Sequence, residues 1–247
     1  MLATLAGISL IIASACVFNN YIDRDIDKFM ARTENRALVT KQLAVGNAIA
    51  YATTLGVVGF VILSTYTNWL TVLVGLVGFI DYVVLYGLSK RRSVHGTVIG
   101  SISGATPIVA GYTAVTNRFD TAALLLFLVL VFWQMPHFYA IAMRRFSDYK
   151  AAKLPVLPVK QGMHATKLQI LFYVGAFIVA TLLLTVFGYT GISYSLVVAG
   201  SGLCWLYLGV KGFKATDDTA WAKKMFLFSL IVLLVFCIML MTNSFSP

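Results

Sequence analysis

The residues with the clearest chemical potential follow an apolar run from Leu2 to Phe18. They read Asn19-Asn20-Tyr21-Ile22-Asp23-Arg24-Asp25-Ile26-Asp27, then Arg32, Glu34 and Arg36. Four of the chain's nine acidic residues lie between Asp23 and Glu34. If the helix of the apolar run continues, Asn19, Asp23 and Asp27 recur at four-residue spacing on one face. Carboxylates one turn apart repel, so this face needs a cation or basic partners. Two carboxylates beside an amide oxygen suit Mg2+, which prefers oxygen donors and completes its shell with water or phosphate. Arg24, Lys28, Arg32 and Arg36 follow closely, and a planar guanidinium fits phosphate oxygens. The plainer alternative is a solvated loop of mixed charge; helical spacing at the end of an apolar run argues against it.

The elements that must position this stretch are membrane helices. Of 247 residues, 60% are hydrophobic and 11% charged, against about a quarter charged in a soluble domain. Apolar runs of spanning length fall at 2–18, 45–65, 68–88, 96–115, 121–143, 168–188, 191–210 and 225–242. They predict an all-α, polytopic bundle of eight helices in the lipid bilayer. The net charge of +10 is unevenly spread: every Lys and Arg except Arg118 lies in segments 19–44, 89–95, 144–167 or 211–224. By the positive-inside rule these four segments are cytoplasmic and both chain ends lie on the other side. The positive charge is thus topological, and no nucleic acid partner is expected. Cys16, Cys204 and Cys237 sit in apolar runs without metal-ligand spacing, which predicts packing residues rather than a disulfide framework.

Several residues stand out within the runs. Gly96, Gly100 and Gly104 form a small-residue stripe that lets helices approach closely. Pro107 is expected to interrupt that helix and free a carbonyl. Asp81 is the one acid deep in a run, expected either to mark a cavity or to serve as a structural, hydrogen-bonded carboxyl. Tyr66, Trp69, Tyr112, Tyr189 and Trp221 lie near run ends, where aromatic rings anchor to the interface. The fifth run ends Trp133-Gln134-Met135-Pro136-His137-Phe138-Tyr139 and is followed by Arg144-Arg145-Phe146-Ser147-Asp148-Tyr149. His137, beside a kinking proline and two aromatics, is a candidate to face a substrate.

Together these residues resemble the intramembrane UbiA-type prenyltransferase superfamily. Its members carry Asn-Asp-x-x-Asp-x-x-x-Asp after the second membrane helix, then Arg-Thr-x-x-Arg. The matching residues are Asn19-Asn20-x-x-Asp23-x-x-x-Asp27 and Arg32-Thr33-Glu34-Asn35-Arg36. Asn20 in the second position is similar to the branch that farnesylates protohaem IX. So are Trp133 to His137, Asp148-Tyr149 and Leu154-Pro155-Val156-Leu157-Pro158. The likeness runs over nearly the whole chain. It implies one transmembrane prenyltransferase domain over 1–247, built around a central cavity, with cytoplasmic active-site loops in a bacterial inner membrane. The implied reaction moves a farnesyl group from farnesyl diphosphate to a vinyl group of protohaem IX, water adding the hydroxyl, to give haem O.

Mg2+ is the implied cofactor, held by the catalytic set Asn20, Asp23 and Asp27. Substrate contacts are expected from Asn19, Arg32, Arg36, Lys90, Arg91, His137, Tyr139, Arg145, Asp148 and Tyr149. A downstream haem-modifying enzyme or a terminal oxidase assembly is the implied protein partner. The superfamily usually has nine helices, and the first has no counterpart here, so the chain is expected to be N-terminally shortened. Many members also carry a second aspartate-rich motif. The corresponding loop here offers His137, Arg145, Asp148 and Tyr149, so a second full Mg2+ site is not expected.

Two other readings compete. One is prenyl transfer to an aromatic or quinone precursor, against which the second loop argues. The other is a secondary transporter that uses Asp81 and the acidic segment for cation coupling. A transporter should place acids near the midplane in both halves, and Asp81 has no such counterpart.

Overall fold

The computed structural model describes residues 1–245. Among the described residues, eight helices are long and apolar enough to cross a membrane, as the hydropathy pattern predicts. They are α1 (Leu2–Asp27), α2 (Val45–Tyr66), α3 (Trp69–Arg92), α4 (Gly96–Thr116), α5 (Thr121–Arg144), α7 (Leu157–Val186), α8 (Ile192–Lys211) and α9 (Asp218–Asn243). A short helix, α6 (Phe146–Ala151), precedes α7. The chain divides into two compact units: Met1–Ala123 with Ser147–Val156, and Leu124–Phe146 with Leu157 onward.

In the first unit, α1 runs nine residues past its apolar stretch and ends at Asp27, so the acidic motif is helical. Small residues seat α1 against α2. The Ser14 hydroxyl donates to the Ala52 carbonyl at 2.7 Å, and Ala48, Ala52, Gly56 and Gly59 are all buried in α2. A Cβ on Gly59 would stand 2.9 Å from the Gly7 carbonyl oxygen and 3.1 Å from the Ile11 nitrogen. Backbones this close are held by packing rather than by any hydrophobic drive, which lipid does not supply.

Helix α3 starts at Asn68, whose side-chain oxygen accepts from the Thr71 N–H at 3.0 Å while its amide donates to the Thr113 carbonyl at 2.7 Å. Midway, Asp81–Tyr86 opens into a wide π turn before the helix resumes to Arg92. Asp81 is buried, and its Oδ2 accepts from the Ser103 N–H of α4 at 3.0 Å. It therefore ties α3 to α4. The small stripe of α4 admits α3: a Cβ on Gly96 would meet the Lys90 backbone and one on Gly100 the Tyr86 ring, each at 2.7 Å.

Pro107 does not interrupt α4, contrary to the sequence-based expectation. A proline frees the carbonyl four residues earlier. That carbonyl, of Ser103, accepts from the Thr106 hydroxyl at 2.7 Å instead. Beyond α4, Asp120 accepts from the Tyr112 hydroxyl at 2.8 Å and from the Ala123 N–H at 3.1 Å. Burial alone would raise the Asp120 carboxyl, but these bonds hold it below its ordinary value.

In the second unit, two helices start earlier than hydropathy predicts. Helix α7 begins at Leu157 rather than 168, with non-helical backbone at Gly162, where φ is 85°. Helix α9 begins at Asp218 rather than 225, because the Asp217 carboxylate caps the N–H groups of Thr219 and Ala220 at 2.8 and 3.0 Å. Lys167 is buried, donating to the Gly212 carbonyl at 2.7 Å and to Asp218 at 2.5 Å. Trp221 is not an interfacial anchor: it is buried beneath the Lys167 ammonium, and its indole N–H donates to the Leu208 carbonyl at 2.9 Å. Phe177, Trp205 and Phe236 fill the core of this unit with edge-to-face contacts.

The α1–α2 seam gives a direct test. Gly59→Val should push the two backbones apart and lower the stability of the detergent-solubilised protein by roughly 1–3 kcal/mol. Gly46→Ala, with nothing within 4 Å of its added Cβ, should unfold at or slightly above the wild-type temperature. Equal melting of both variants would refute the account of this seam.

Candidate active site

The last turns of α1 carry Asn19, Asp23 and Asp27 on one face, and both carboxylates are buried, 7% and 4% exposed. Each is met by its own cation. The Lys90 ammonium donates to Asp23 Oδ2 and, at 2.5 Å, to Asn19 Oδ1. Arg36 donates to Asp27 Oδ2 at 2.6 Å. The repulsion expected of carboxylates one turn apart is thus offset by two basic groups from separate segments. Thr33, also buried, donates its hydroxyl to the Asp27 carbonyl at 2.9 Å and closes the end of α1.

Arg91 is engaged differently from its neighbour. Its guanidinium grips Asp25 at 2.8 and 2.9 Å, donates to the Ile22 carbonyl, and lies 3.4 Å from Asp23 Oδ1. It braces the end of α3 against the last turns of α1. Arg32 is exposed and makes no ion pair among the described residues. Asn20 is half-buried.

Beneath the charged cluster, the wide turn of α3 stacks Tyr82 on Tyr86, with ring centroids 5.5 Å apart, and Lys90 lies 4.9 Å over the Tyr86 ring. Neither tyrosine, nor Asp25 as a brace, was singled out from the sequence. The four-residue spacing of Tyr82, Tyr86 and Lys90 is the signal that could have found them. Asp148 lies on α6, and Tyr149 packs against Met30, Ala152 and Leu154 in the same unit.

The remaining expected residues belong to the second unit. His137 is half-buried between Trp133 and Phe226, with both ring centroids 4.8 Å away, and its Nδ1 lies 2.7 Å from the Ser229 hydroxyl. Tyr139 is buried, its ring 6.3 Å from that of Tyr173. Arg145 is exposed just past α5.

The oxygens of Asn19 and Asp23 already enclose one compact cation, the Lys90 ammonium. This donor set therefore fits a hard metal ion. No three His, Cys, Asp or Glu side chains cluster among the described residues. The protein would then supply the Asp23 carboxylate and the Asn19 amide oxygen, with Asp27 one turn on as a second carboxylate and phosphate and water completing the shell.

The sequence profile of the UbiA prenyltransferase family matches residues 1–231. The chain belongs to the UbiA prenyltransferase family. Its eight apolar helices and this membership make it an integral membrane protein.

Among relatives, the protohaem IX farnesyltransferase of Pseudomonas savastanoi pv. phaseolicola is 55% identical over 97% of this chain and 81% of its own length. That of Yersinia pseudotuberculosis serotype O:1b is 51% identical over the same shares. Among solved structures, a UbiA homologue from Aeropyrum pernix K1 shares the fold with a TM-score of 0.76 and 15% identity. That match covers 97% of this chain and 88% of that one. A UbiA homologue from Archaeoglobus fulgidus, bound to GPP and Mg2+, gives 0.69 and 15% over 98% and 87%.

The ion pairs of this cluster can be tested as a thermodynamic cycle. Lys90→Met leaves the Asp23 carboxylate buried without its main partner and should cost roughly 1–3 kcal/mol of stability. Adding Asp23→Asn should recover most of that loss. Additive losses in thermal unfolding would mean that the two side chains do not interact.

Proposed function

We propose that this chain transfers a farnesyl group from farnesyl diphosphate to a vinyl group of protohaem IX, releasing diphosphate and giving haem O. The observation that carries this reading is the 51–55% identity, over 97% of the chain, to enzymes of that activity. The buried carboxylates ringed by basic groups support it independently, because a prenyl diphosphate combines an apolar tail with a strongly anionic head. The site lies in the inner membrane of a bacterium with its basic loops in the cytoplasm, as the one-sided Lys and Arg distribution supports.

Catalysis begins with the bond between farnesyl C1 and its bridging oxygen, whose electron pair leaves with diphosphate. Arg32, Arg36 and Lys90 face the phosphate oxygens and offset the charge that builds there. Mg2+, when bound by Asp23 and Asp27 with Asn19 or Asn20, adds Lewis-acid neutralisation of that charge. Arg91, tied to Asp25 and Ile22, keeps Asp23 in place. The vinyl π electrons form the new carbon–carbon bond to farnesyl C1 and leave a cation beside the porphyrin ring. Water adds there and loses a proton, which gives the hydroxyl. His137, Tyr139, Arg145, Asp148 and Tyr149 contribute substrate contacts, and apolar walls keep bulk water from the cationic stage.

Membranes containing the chain, given protohaem, farnesyl diphosphate and Mg2+, should yield a haem heavier by the farnesyl and hydroxyl groups. No such product in membranes that hold folded protein would refute the reading. In the same assay Asp23→Asn should lose Mg2+-dependent turnover while the protein stays in the membrane. An unchanged Mg2+ titration would remove Asp23 from the metal site. Arg32→Ala should raise the farnesyl diphosphate requirement far more than the protohaem requirement. Equal effects on both substrates would show instead that Arg32 does not meet the diphosphate.

A further inference from the structure

We infer that Nε2 of His137 is an axial ligand for the iron of an iron porphyrin, with Ser229 as the residue that positions it. This rests on the farnesylation reading, because protohaem is the substrate that brings the iron.

The argument starts from a single proton. Ser229 is fully buried on α9, and its hydroxyl donates to the Phe226 carbonyl at 2.6 Å. A hydroxyl has only one hydrogen to give. With that hydrogen on the Phe226 carbonyl, Ser229 Oγ is the acceptor at its 2.7 Å contact with His137 Nδ1, the tautomer in which Nδ1 carries the hydrogen. In the neutral imidazole this leaves the lone pair on Nε2. No hydrogen bond to Nε2 is formed among the described residues.

The ring is also fixed in its plane. Trp133 stacks 25° from parallel and Phe226 lies at 35°, each with its centroid 4.8 Å away, while Phe138 meets the ring edge-on at 5.5 Å. Trp133 is itself held by its indole N–H, which donates to the Ser229 carbonyl at 2.8 Å. One buried residue thus fixes the tautomer through its hydroxyl and one wall through its carbonyl. A neutral imidazole whose second nitrogen donates to a fixed acceptor is the arrangement that metal-binding histidines use. Iron held axially would fix the centre and plane of the macrocycle, leaving peripheral contacts to set only its rotation about the Fe–N axis.

The test titrates ferric protohaem, and in parallel metal-free protoporphyrin IX, into the purified full chain in lipid nanodiscs. Wild type should show an imidazole-ligated iron spectrum. His137→Ala should lose it and bind the iron porphyrin at least about tenfold more weakly, while metal-free porphyrin binds both proteins alike. Ser229→Ala keeps the carbonyl that holds Trp133 and should weaken iron porphyrin alone by about tenfold. Identical spectra for wild type and His137→Ala, or equal loss for both porphyrins, would overturn the ligand assignment. A wild-type chain that makes haem O without an imidazole signature overturns that assignment and leaves the farnesylation reading standing. A chain that binds no porphyrin and makes no haem O overturns both.

Discussion

Two buried carboxylates one helical turn apart are the constraint on which the first unit depends. Each costs on the order of several kcal/mol to bury unless it is paired, and together they repel. Asp23 meets Lys90 from α3, and Asp27 meets Arg36 from the turn that follows α1. The end of α1 cannot slip by a residue without exposing one acid or abandoning one cation. Such pairs add little net stability; they select one register among several that packing alone would allow. The Gly7–Gly59 approach and the Ser14–Ala52 bond hold α1 to α2, so register and distance are set by different interactions.

The wide turn in α3 serves the same cluster. A π turn takes one more residue than an α turn, which rotates everything after it by about 100°. Tyr82 and Tyr86 stack within that turn, and Lys90 and Arg91 follow it. Lys90 then reaches Asn19 and Asp23, while Arg91 reaches Asp25 and the Ile22 carbonyl. Asp81 sits where the turn opens and accepts from the Ser103 N–H of α4. An irregular stretch in lipid is tolerated only when its freed groups find partners in neighbouring helices. The same condition explains why Pro107 passes without a break, since Thr106 meets the Ser103 carbonyl.

Much of this was legible in the sequence, for identifiable reasons. The four-residue recurrence of Asn19, Asp23 and Asp27 predicted a helix through the acidic motif, and α1 ends at Asp27. Eight apolar runs correspond to eight spanning helices among the described residues. The starts of α7 and α9 were misplaced because hydropathy counts Lys160, Lys167, Lys223 and Lys224 as loop residues. Lys167 is buried on Asp218, a pairing 51 positions apart that no local window contains. Trp221 was read as an anchor for the same reason, its cover being the Lys167 ammonium. The π turn left no compositional trace, because Asp81–Tyr86 reads like any apolar helix with one acid. Ser229 was invisible as a partner for His137, since one serine in an apolar run carries no sign of what it faces 92 residues away.

The two units share a way of preparing reactive atoms. In each, a side chain with two equivalent heads has one head tied down, which decides what the other can do. Arg36 holds Asp27 Oδ2, and Lys90 holds Asp23 Oδ2, leaving the Oδ1 atoms as the less committed donors. Ser229 accepts from His137 Nδ1 and leaves the lone pair on Nε2. A group anchored at one atom loses its freedom to rotate before a ligand arrives, so less order has to be imposed at binding. The tie also decides chemistry as well as direction. A carboxylate with one oxygen neutralised remains an oxygen donor suited to a hard cation, and an imidazole with Nδ1 committed remains a nitrogen donor suited to iron. In the proposed reaction an anionic prenyl donor and an iron porphyrin need different donors, and each unit keeps one kind of donor fixed by partners inside its own fold.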